Sequence, residues 1–281
     1  MGKRIIVVMA ALAVVGCSAT RLVYQRLDWL MAWRLHDYVS LNVAQKAEFK
    51  RDFSGIWQWH RSHELPLYAR DLREMAAGLG SPATPEQVAS YSAHFEESWE
   101  RLMEKTVSGV CDVVRSLDDA QAREILDGVD DDIVKFTEEY VRPSPEELRR
   151  NSEKRSAKWV RRWTGPLNPR QQELLHRWGG ERRALGAAWL EQRRQWRQQL
   201  EQTLRQRSAT PDCAQFRPLF VTPLATARKV LADDLAYNEA LWNHLIADMV
   251  NAMDARQHKY ARGELLDFAA ELEELAATPA P

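Results

Sequence analysis

The sequence predicts an all-α protein. After the first twenty residues, almost no stretch alternates apolar and polar residues with the period of two that marks a β-strand. Leu, Ala, Glu, Arg and Gln dominate instead, and these residues are strong helix formers. Pro and Gly cluster at a few points, which we interpret as breaks between helices. The expected architecture is therefore an elongated multi-helix bundle of capped helices, some of them long and kinked.

The chain begins with the pattern of a bacterial lipoprotein signal peptide. Lys3 and Arg4 precede a short apolar run that ends at Gly16-Cys17. A charged start, an apolar run and a small residue before the cut are typical of a secretory signal. A cysteine directly after the cut takes a diacylglycerol in bacterial lipoproteins, so Cys17 is the predicted lipid attachment site. The apolar run is shorter than the ~20 residues that span a bilayer, which disfavours a transmembrane anchor.

Cleavage before Cys17 predicts where the protein is located. Ser18 stands where an aspartate commonly retains a lipoprotein in the inner membrane. We therefore expect the periplasmic face of the outer membrane, with the acyl chains on Cys17 as the contact with the membrane. Nucleic acid is not an expected partner, because this anchor places the chain outside the cytoplasm.

The predicted signal also divides the chain. A leader covers residues 1–16 and a mature helical domain covers 17–281, within which a sub-boundary would fall near 141–145 or 208–222. Breaks and periodicity predict helices near residues 21–37, 43–78, 85–115, 118–140, 145–163, 168–206, 223–252 and 255–276.

One local pattern recurs at the predicted helix starts: an apolar residue, then Thr, Asn or Asp, two variable residues, and Gln. It begins at Leu41, Ala83, Leu117, Leu167 and Met253. The second residue suits an N-cap, and the Gln suits the N3 position of a capping box. Ser144 and Glu147 form a sixth box, and Thr222-Pro223 marks another helix start. We interpret these motifs as helix caps.

Two resemblances follow from these motifs. The repeats are similar to the Leu-Thr-x-x-Gln repeats of the CpxP/Spy group of periplasmic stress proteins, which are helical, cradle-shaped and chaperone-like. A longer likeness joins the Trp-rich start at Asp28–Tyr38 to the block Trp59-His60-Arg61, Glu64-Leu65-Pro66 and Tyr68-Ala69. This order resembles a family of uncharacterised proteobacterial lipoproteins of gammaproteobacterial type. The resemblance implies a helical fold and an envelope location, and it carries no activity.

The block from Trp57 to Pro66 is the densest cluster of chemically versatile side chains. His60 and Glu64 share one helical face at i,i+4. Neither His-Glu-x-x-His nor its inverse is present, so we expect no metal and no cofactor. We interpret Trp59, His60, Glu64 and Pro66 as a structural node in which His60 and Glu64 satisfy each other and Pro66 kinks the helix. No Gly-x-Ser-x-Gly elbow or phosphate-binding glycine loop is present, and no catalytic residue is predicted.

Cysteine usage leaves two alternatives. Cys111 and Cys213 remain besides the predicted lipidation site. An oxidising periplasm would allow them to form a disulfide. They can equally be two buried thiols that act as small apolar residues.

Charge is divided between two halves of the chain. Residues 84–140 contain 15 acidic and 5 basic residues, whereas residues 142–210 contain 7 acidic and 17 basic residues. Helices with complementary solvated faces explain this pattern, and an electropositive surface for an anionic partner is the alternative.

Tryptophan is frequent, with eleven residues in the chain. Trp29 and Trp33 either pack into the bundle or lie at the membrane interface. Within the basic half, the candidate binding surface combines Trp159, Arg162, Trp163, Trp189, Arg193 and Trp196. Arginines stacked on tryptophans inside the fold would account for the same residues without a ligand.

These features predict a non-enzymatic, membrane-anchored binding or scaffolding lipoprotein of the periplasm, with chaperone-like action as one version. A carrier associated with lipid or lipopolysaccharide, or an envelope assembly factor, is the first alternative. An enzyme of envelope metabolism is the second.

Overall fold

The computed structural model describes residues 23–207, 215–221 and 225–278. In these ranges no β-strand forms and twelve α-helices are present, which confirms the all-α prediction. The helices are α1 (Leu27–His36), α2 (Val43–Trp59), α3 (Leu65–Gly78), α4 (Pro85–Ser116), α5 (Asp119–Tyr140), α6 (Pro145–Thr164), α7 (Pro169–Glu181), α8 (Gly186–Arg205), α9 (Arg217–Phe220), α10 (Ala225–Val230), α11 (Ala232–Asn251) and α12 (Ala255–Ala277). Among them, none is both long and apolar enough to cross a bilayer.

The six predicted capping boxes are all present. In each box, the N-cap side chain accepts a hydrogen bond from the N3 backbone, and the N3 side chain accepts one from the N-cap N–H. The N-cap residues are Asn42, Thr84, Asp118, Ser144, Asn168 and Asp254. The start at Thr222-Pro223 lies outside the described residues.

The single helix predicted over residues 168–206 is wrong, because α7 ends at Glu181 and α8 begins at Gly186. The amide of Asn238 donates to the carbonyl of Arg183 (3.0 Å) and accepts from its N–H (2.9 Å). Helix α11 thus satisfies backbone groups at the break. At Gly186, a Cβ would lie 2.0 Å from the carbonyl oxygen of Tyr140. Only glycine lets α8 start this close to the end of α5.

The helix predicted over residues 223–252 is also interrupted. In the described part it consists of α10 and α11, which meet at Leu231. Leu231 is buried and its ψ angle of 18° departs from helical geometry. The backbone hydrogen bonds continue across this joint, from Leu231 to Ala227 and from Leu235 to Leu231. The interruption is therefore a bend that buries a leucine, which the local sequence does not indicate.

Three apolar clusters form the core. The first joins α4, α5, α8 and α9 and includes Val39, Leu41, Cys111, Val114, Leu204 and Phe216. The second lies where α3 packs along α12 and includes Tyr24, Trp57, Leu65, Ala69, Leu272 and Leu275. The third joins α6, α7 and α11 and includes Val160, Leu174, Leu175, Leu245 and Met249.

The acidic and basic halves of the chain meet where α5 packs against α8. Arg197 on α8 donates to both carboxylate oxygens of Asp130 on α5, at 2.9 and 2.8 Å. Arg207 donates to Asp119 at 2.6 Å. These ion pairs support the interpretation that the acidic and basic segments present complementary charged faces to each other.

Candidate functional site

The predicted node contains a local departure from α-helical geometry. Between α2 and α3 the residues His60–Glu64 form a π turn, in which the N–H of Leu65 donates to the carbonyl of His60. Pro66 follows within the first turn of α3, where it has no N–H to donate. The irregularity thus precedes Pro66, which is itself exposed. Single π turns inside helices occur frequently at functional sites.

The π turn directs His60 into the second core cluster. Its Nδ1 lies 2.9 Å from the hydroxyl of Tyr24, and both residues are buried. Burial lowers the pKa of His60 to about 4, an effect that the charge of Glu64 only partly offsets. His60 is therefore neutral at neutral pH. Its hydrogen-bond partner is Tyr24, whereas the sequence had suggested Glu64.

Glu64 is 1 % exposed and forms a bidentate ion pair with Arg101 on α4. The Nε–Oε1 distance is 2.8 Å and the second distance, between a terminal guanidinium nitrogen and Oε2, is 2.9 Å. Arg101 also donates to Ser98 Oγ at 2.8 Å. Burial raises the pKa of Glu64, but the hydrogen bonds from Arg101 and Ser98 and the charge of Arg101 outweigh burial and lower it. The carboxylate is therefore ionised and held in place.

Arg61 joins the π turn to the end of α12. Its Nε and one terminal nitrogen donate to the carbonyl of Leu275, at 3.0 and 2.6 Å, and that nitrogen also donates to the carbonyl of Thr278. Its guanidinium carbon lies 5.6 Å from the centre of the Trp57 ring. A cation at the C-terminus of a helix satisfies free carbonyls and complements the helix dipole.

An open groove of about 730 Å³ lies beside this node. Its lining residues are Trp59, Glu97, Glu100, Arg101, Glu104, Lys105 and Val221. The indole of Trp59 is stacked on His63, with 5.8 Å between ring centres, and Lys105 Nζ lies 5.9 Å from the indole. A ligand in the groove would meet an aromatic surface, three carboxylates and the two cations of Arg101 and Lys105. His60 and Glu64 are buried and do not line the groove.

The predicted Arg/Trp surface is divided between two helices. On α6, Trp159 packs against Trp242, with 5.7 Å between ring centres, and Trp163 packs against Phe268, at 6.0 Å. Arg162 stacks on Trp163 at 5.2 Å and forms an ion pair with Glu264. These contacts face α11 and α12.

The residues on α8 have other neighbours. Arg193 stacks on the ring of Phe136 in α5 at 4.3 Å. The indole of Trp196 donates to the carbonyl of Leu219 in α9 at 3.1 Å, and Trp189 is half-buried. This arrangement favours the alternative in which arginines and tryptophans hold the fold together.

Several sequence predictions concern residues outside the described ranges. Cys111 is fully buried and takes part in a disulfide, but Cys213 and Cys17 both lie outside the described residues. The pairing of Cys111 with Cys213 and the lipidation of Cys17 stay predictions. Within the described ranges, no group of three or more His, Cys, Asp or Glu side chains is placed to hold a metal ion.

Sequence reasoning missed three residues of the site. Tyr24 and Arg101 lie 36 and 37 positions from the side chains that they contact, so no local pattern connects them. Arg61 belongs to the block from Trp57 to Pro66, and its proximity in sequence to Trp57 and Trp59 could have indicated it as a residue of the site. Trp59 was predicted as structural, whereas the structure also places it in the groove.

The π turn and the groove lie within the part of the chain that matches a known protein family. No curated protein and no solved structure matches the chain. Residues 37–221 match a family of unknown function, DUF6279, and this range includes the π turn and the entire groove lining. Since the match covers more than half of the sequence, the chain belongs to the DUF6279 family.

Proposed function

We propose that this protein is a non-enzymatic binding or scaffolding lipoprotein, anchored at the periplasmic face of the outer membrane by acyl chains on Cys17. The groove beside Trp59 is its binding surface. One observation carries this proposal: the groove presents an indole and three carboxylates, while His60 and Glu64, which are both buried, do not line it. A ligand can be held there without meeting the neutral imidazole of His60 or the buried carboxylate of Glu64.

The chemistry of the groove favours an extended polypeptide segment with basic and apolar side chains. Trp59 offers a flat aromatic surface for an apolar or cationic side chain. Three glutamates of α4, Glu97, Glu100 and Glu104, supply negative charge along one wall. The three glutamates outnumber the two cations of the lining, Arg101 and Lys105. Glu104 pairs with Arg217, and Glu97 lies 4.0 Å from Arg101, so Glu100 carries most of the attraction for a basic ligand. A chaperone-like client or an assembly partner would present such a segment.

Peptide binding by the lipidated mature protein in detergent tests this surface. The probe is a set of fluorescent peptides that alternate basic and apolar residues, compared with acidic peptides of equal length. We expect Trp59→Ala to weaken binding of the basic set by about tenfold, because a central aromatic anchor carries about 1.4 kcal/mol or more of binding energy. Trp159→Ala is the matched control, since Trp159 is an exposed tryptophan on α6 outside the groove.

Three outcomes would contradict this assignment. Equal binding of acidic and basic peptides would exclude the charged wall as the determinant. Loss of binding in Trp159→Ala as large as in Trp59→Ala would place the surface elsewhere. Phospholipid or lipopolysaccharide that co-purifies with the protein, and is lost in Trp59→Ala, would support the carrier alternative instead.

The anchor is tested separately. In cells fed a labelled fatty acid, the wild-type protein is expected to carry the label and to sediment with outer membranes. Cys17→Ser is expected to lose the label and the membrane association together. Unlabelled wild-type protein that sediments with membranes would contradict lipidation of Cys17.

A further inference from the structure

Helix α1 has two opposite faces. Leu27 packs against the core cluster that contains Tyr24, and Leu35 packs against the cluster that contains Cys111. Trp29 and Trp33 point away from both clusters, with 61 % and 57 % of their surface exposed. Residues eight positions apart share one side of a helix, and positions 29 and 33 share the other. The inward leucines therefore fix α1 so that both indoles face outward.

The outward face is aromatic. The two indoles are stacked, with 6.4 Å between ring centres and 11° between their planes. Exposed Ala32 and His36 complete this face, and exposed Arg26 lies at its border. Trp29 and Trp33 are the most exposed tryptophans in the described residues. Because removing two indoles from water would stabilise the protein by several kcal/mol, roughly 2 to 3 kcal/mol each, such a face is unlike ordinary protein surface.

The position of α1 along the chain identifies what covers this face. Val23 packs against the second cluster and Tyr24 is 2 % exposed, so the chain is tied to the core just before α1. Six residue steps separate Val23 from Cys17. Even a fully extended chain of this length reaches only about 20 Å. Acyl chains on Cys17 would therefore keep Val23, four residues before the start of α1, within that distance of the bilayer surface.

We infer that the outward face of α1 lies in the interface of the membrane that holds the anchor, with Trp29 and Trp33 at the level of the phospholipid headgroups. This inference rests on the proposed lipidation of Cys17. The amphipathic indole is favoured at the boundary between headgroups and acyl chains, and Arg26 complements anionic headgroups. The acyl chains provide attachment, and the tryptophan pair sets the orientation of the helical domain on the surface.

Quenching of tryptophan fluorescence by brominated lipids tests the inference. The lipidated mature protein is reconstituted into vesicles of phosphatidylethanolamine and phosphatidylglycerol with brominated acyl chains. We expect wild-type emission to be quenched and Trp29→Ser/Trp33→Ser to lose most of that quenching. Trp159→Ser, which removes the next most exposed tryptophan, is expected to keep it. Far-ultraviolet circular dichroism checks that each variant is folded.

Flotation of the same vesicles separates this inference from the proposed anchor. Wild-type protein that carries no acyl chains and does not float would contradict the anchor. Lipidated protein that floats, but whose quenching is equal in the wild type and the double variant, would overturn the interfacial position of α1. That result would mean that the face meets water or another protein.

Discussion

The side-chain amides of Gln45 and Gln121 form a reciprocal hydrogen-bonded pair. Gln45 Nε2 lies 3.0 Å from Gln121 Oε1, and Gln121 Nε2 lies 2.7 Å from Gln45 Oε1. Each is also the N3 residue of a capping box, at the starts of α2 and α5. Gln45 further donates to the carbonyl of Ser116, and Gln121 to that of Ser40, both at 2.8 Å. One pair of amides thus caps two helices and joins their starts.

A second pair of N3 glutamines is joined by a single hydrogen bond between the amides. Gln257 Nε2 donates to Gln171 Oε1 at 2.8 Å, and these residues are the N3 positions of α12 and α7. Gln171 donates to the carbonyl of Met249 at 3.0 Å, and Gln257 to that of Pro166 at 2.8 Å. The motifs were interpreted as helix caps, and four of them are also tertiary contacts. Their glutamines are buried, whereas Gln87 of the repeat that begins α4 is exposed.

Replacing Gln121 by alanine tests the importance of the amide pair. The substitution removes the Gln121 partner from the carbonyl of Ser40 and from the N–H of Asp118, and it removes one of the two partners of each polar atom in the Gln45 amide. Because each buried unsatisfied polar group costs 1–3 kcal/mol, we expect the free energy of unfolding to fall by about 3 kcal/mol. Gln87→Ala, in the exposed box, is the matched control and should cost about 0.5 kcal/mol. Urea unfolding followed by circular dichroism measures both. Equal costs would show that the pair adds nothing beyond capping.

Buried His60 predicts a loss of stability at mildly acidic pH. Its pKa is lowered from 6.5 to about 4 by burial, so the unfolded chain binds the proton more readily than the folded protein. This contribution to stability is complete above pH 6.5 and is lost as the pH falls towards 4. Between pH 7 and pH 5 the loss should be about 2 kcal/mol.

His60→Gln removes the titrating ring, and we expect most of this pH dependence to disappear with it. His63→Gln is the control, because His63 is a histidine of the same π turn whose side chain is exposed. Urea unfolding of the three proteins at pH 7 and pH 5 gives the comparison. A wild-type slope that persists in His60→Gln would assign the pH dependence to another group.

The ion pair between Glu64 and Arg101 predicts asymmetric effects of mutation. Arg101→Met leaves the buried carboxylate of Glu64 without its cation. We expect the free energy of unfolding to fall by about 2 kcal/mol at pH 7, which is less than for a fully buried pair because Arg101 is itself partly exposed. The double variant Glu64→Gln/Arg101→Met should recover part of this loss. Since folding keeps the pKa of Glu64 low, the deficit of Arg101→Met should shrink as acid protonates Glu64.

The matched control for this pair is Arg73→Met. Arg73 and Glu273 form a similar bidentate pair, but both side chains are 46 % exposed. Screening by water makes such a pair weak, so the urea midpoint should hardly change. An Arg101→Met midpoint equal to that of Arg73→Met would refute a structural role for the Glu64–Arg101 pair.

Two glycines of the α7–α8 region should respond oppositely to alanine. At Gly186, the new Cβ would collide with the carbonyl oxygen of Tyr140, and we expect destabilisation of about 2 kcal/mol or more. At Gly180, in the last turn of α7, a Cβ would meet nothing within 4 Å. Gly180→Ala should therefore be neutral or stabilise the protein by up to about 1 kcal/mol. Thermal unfolding distinguishes the two, and a harmless Gly186→Ala would contradict the close approach of α8 to α5.

Local sequence by itself determined the helical class and the helix starts. A capping box is complete within four residues, so Asn42 and Gln45 specify the start of α2 without help from the rest of the chain. Helix propensity and the absence of period-two patterns are equally local. The local density of Trp, His and Glu side chains also indicated the block around Trp59 and His60 as unusual.

Tertiary structure decided what those elements do together. Tyr24 and Arg101, which complete the site, reach His60 and Glu64 across more than thirty residues, and Asn238 stabilises the break at Arg183 from another helix. Packing also divided the predicted Arg/Trp surface between α6, which contacts α11 and α12, and α8, which contacts α5 and α9. It left Trp59 in the lining of an open groove. Helix starts depend on neighbours in sequence, whereas burial, ion pairing and grooves depend on neighbours in space.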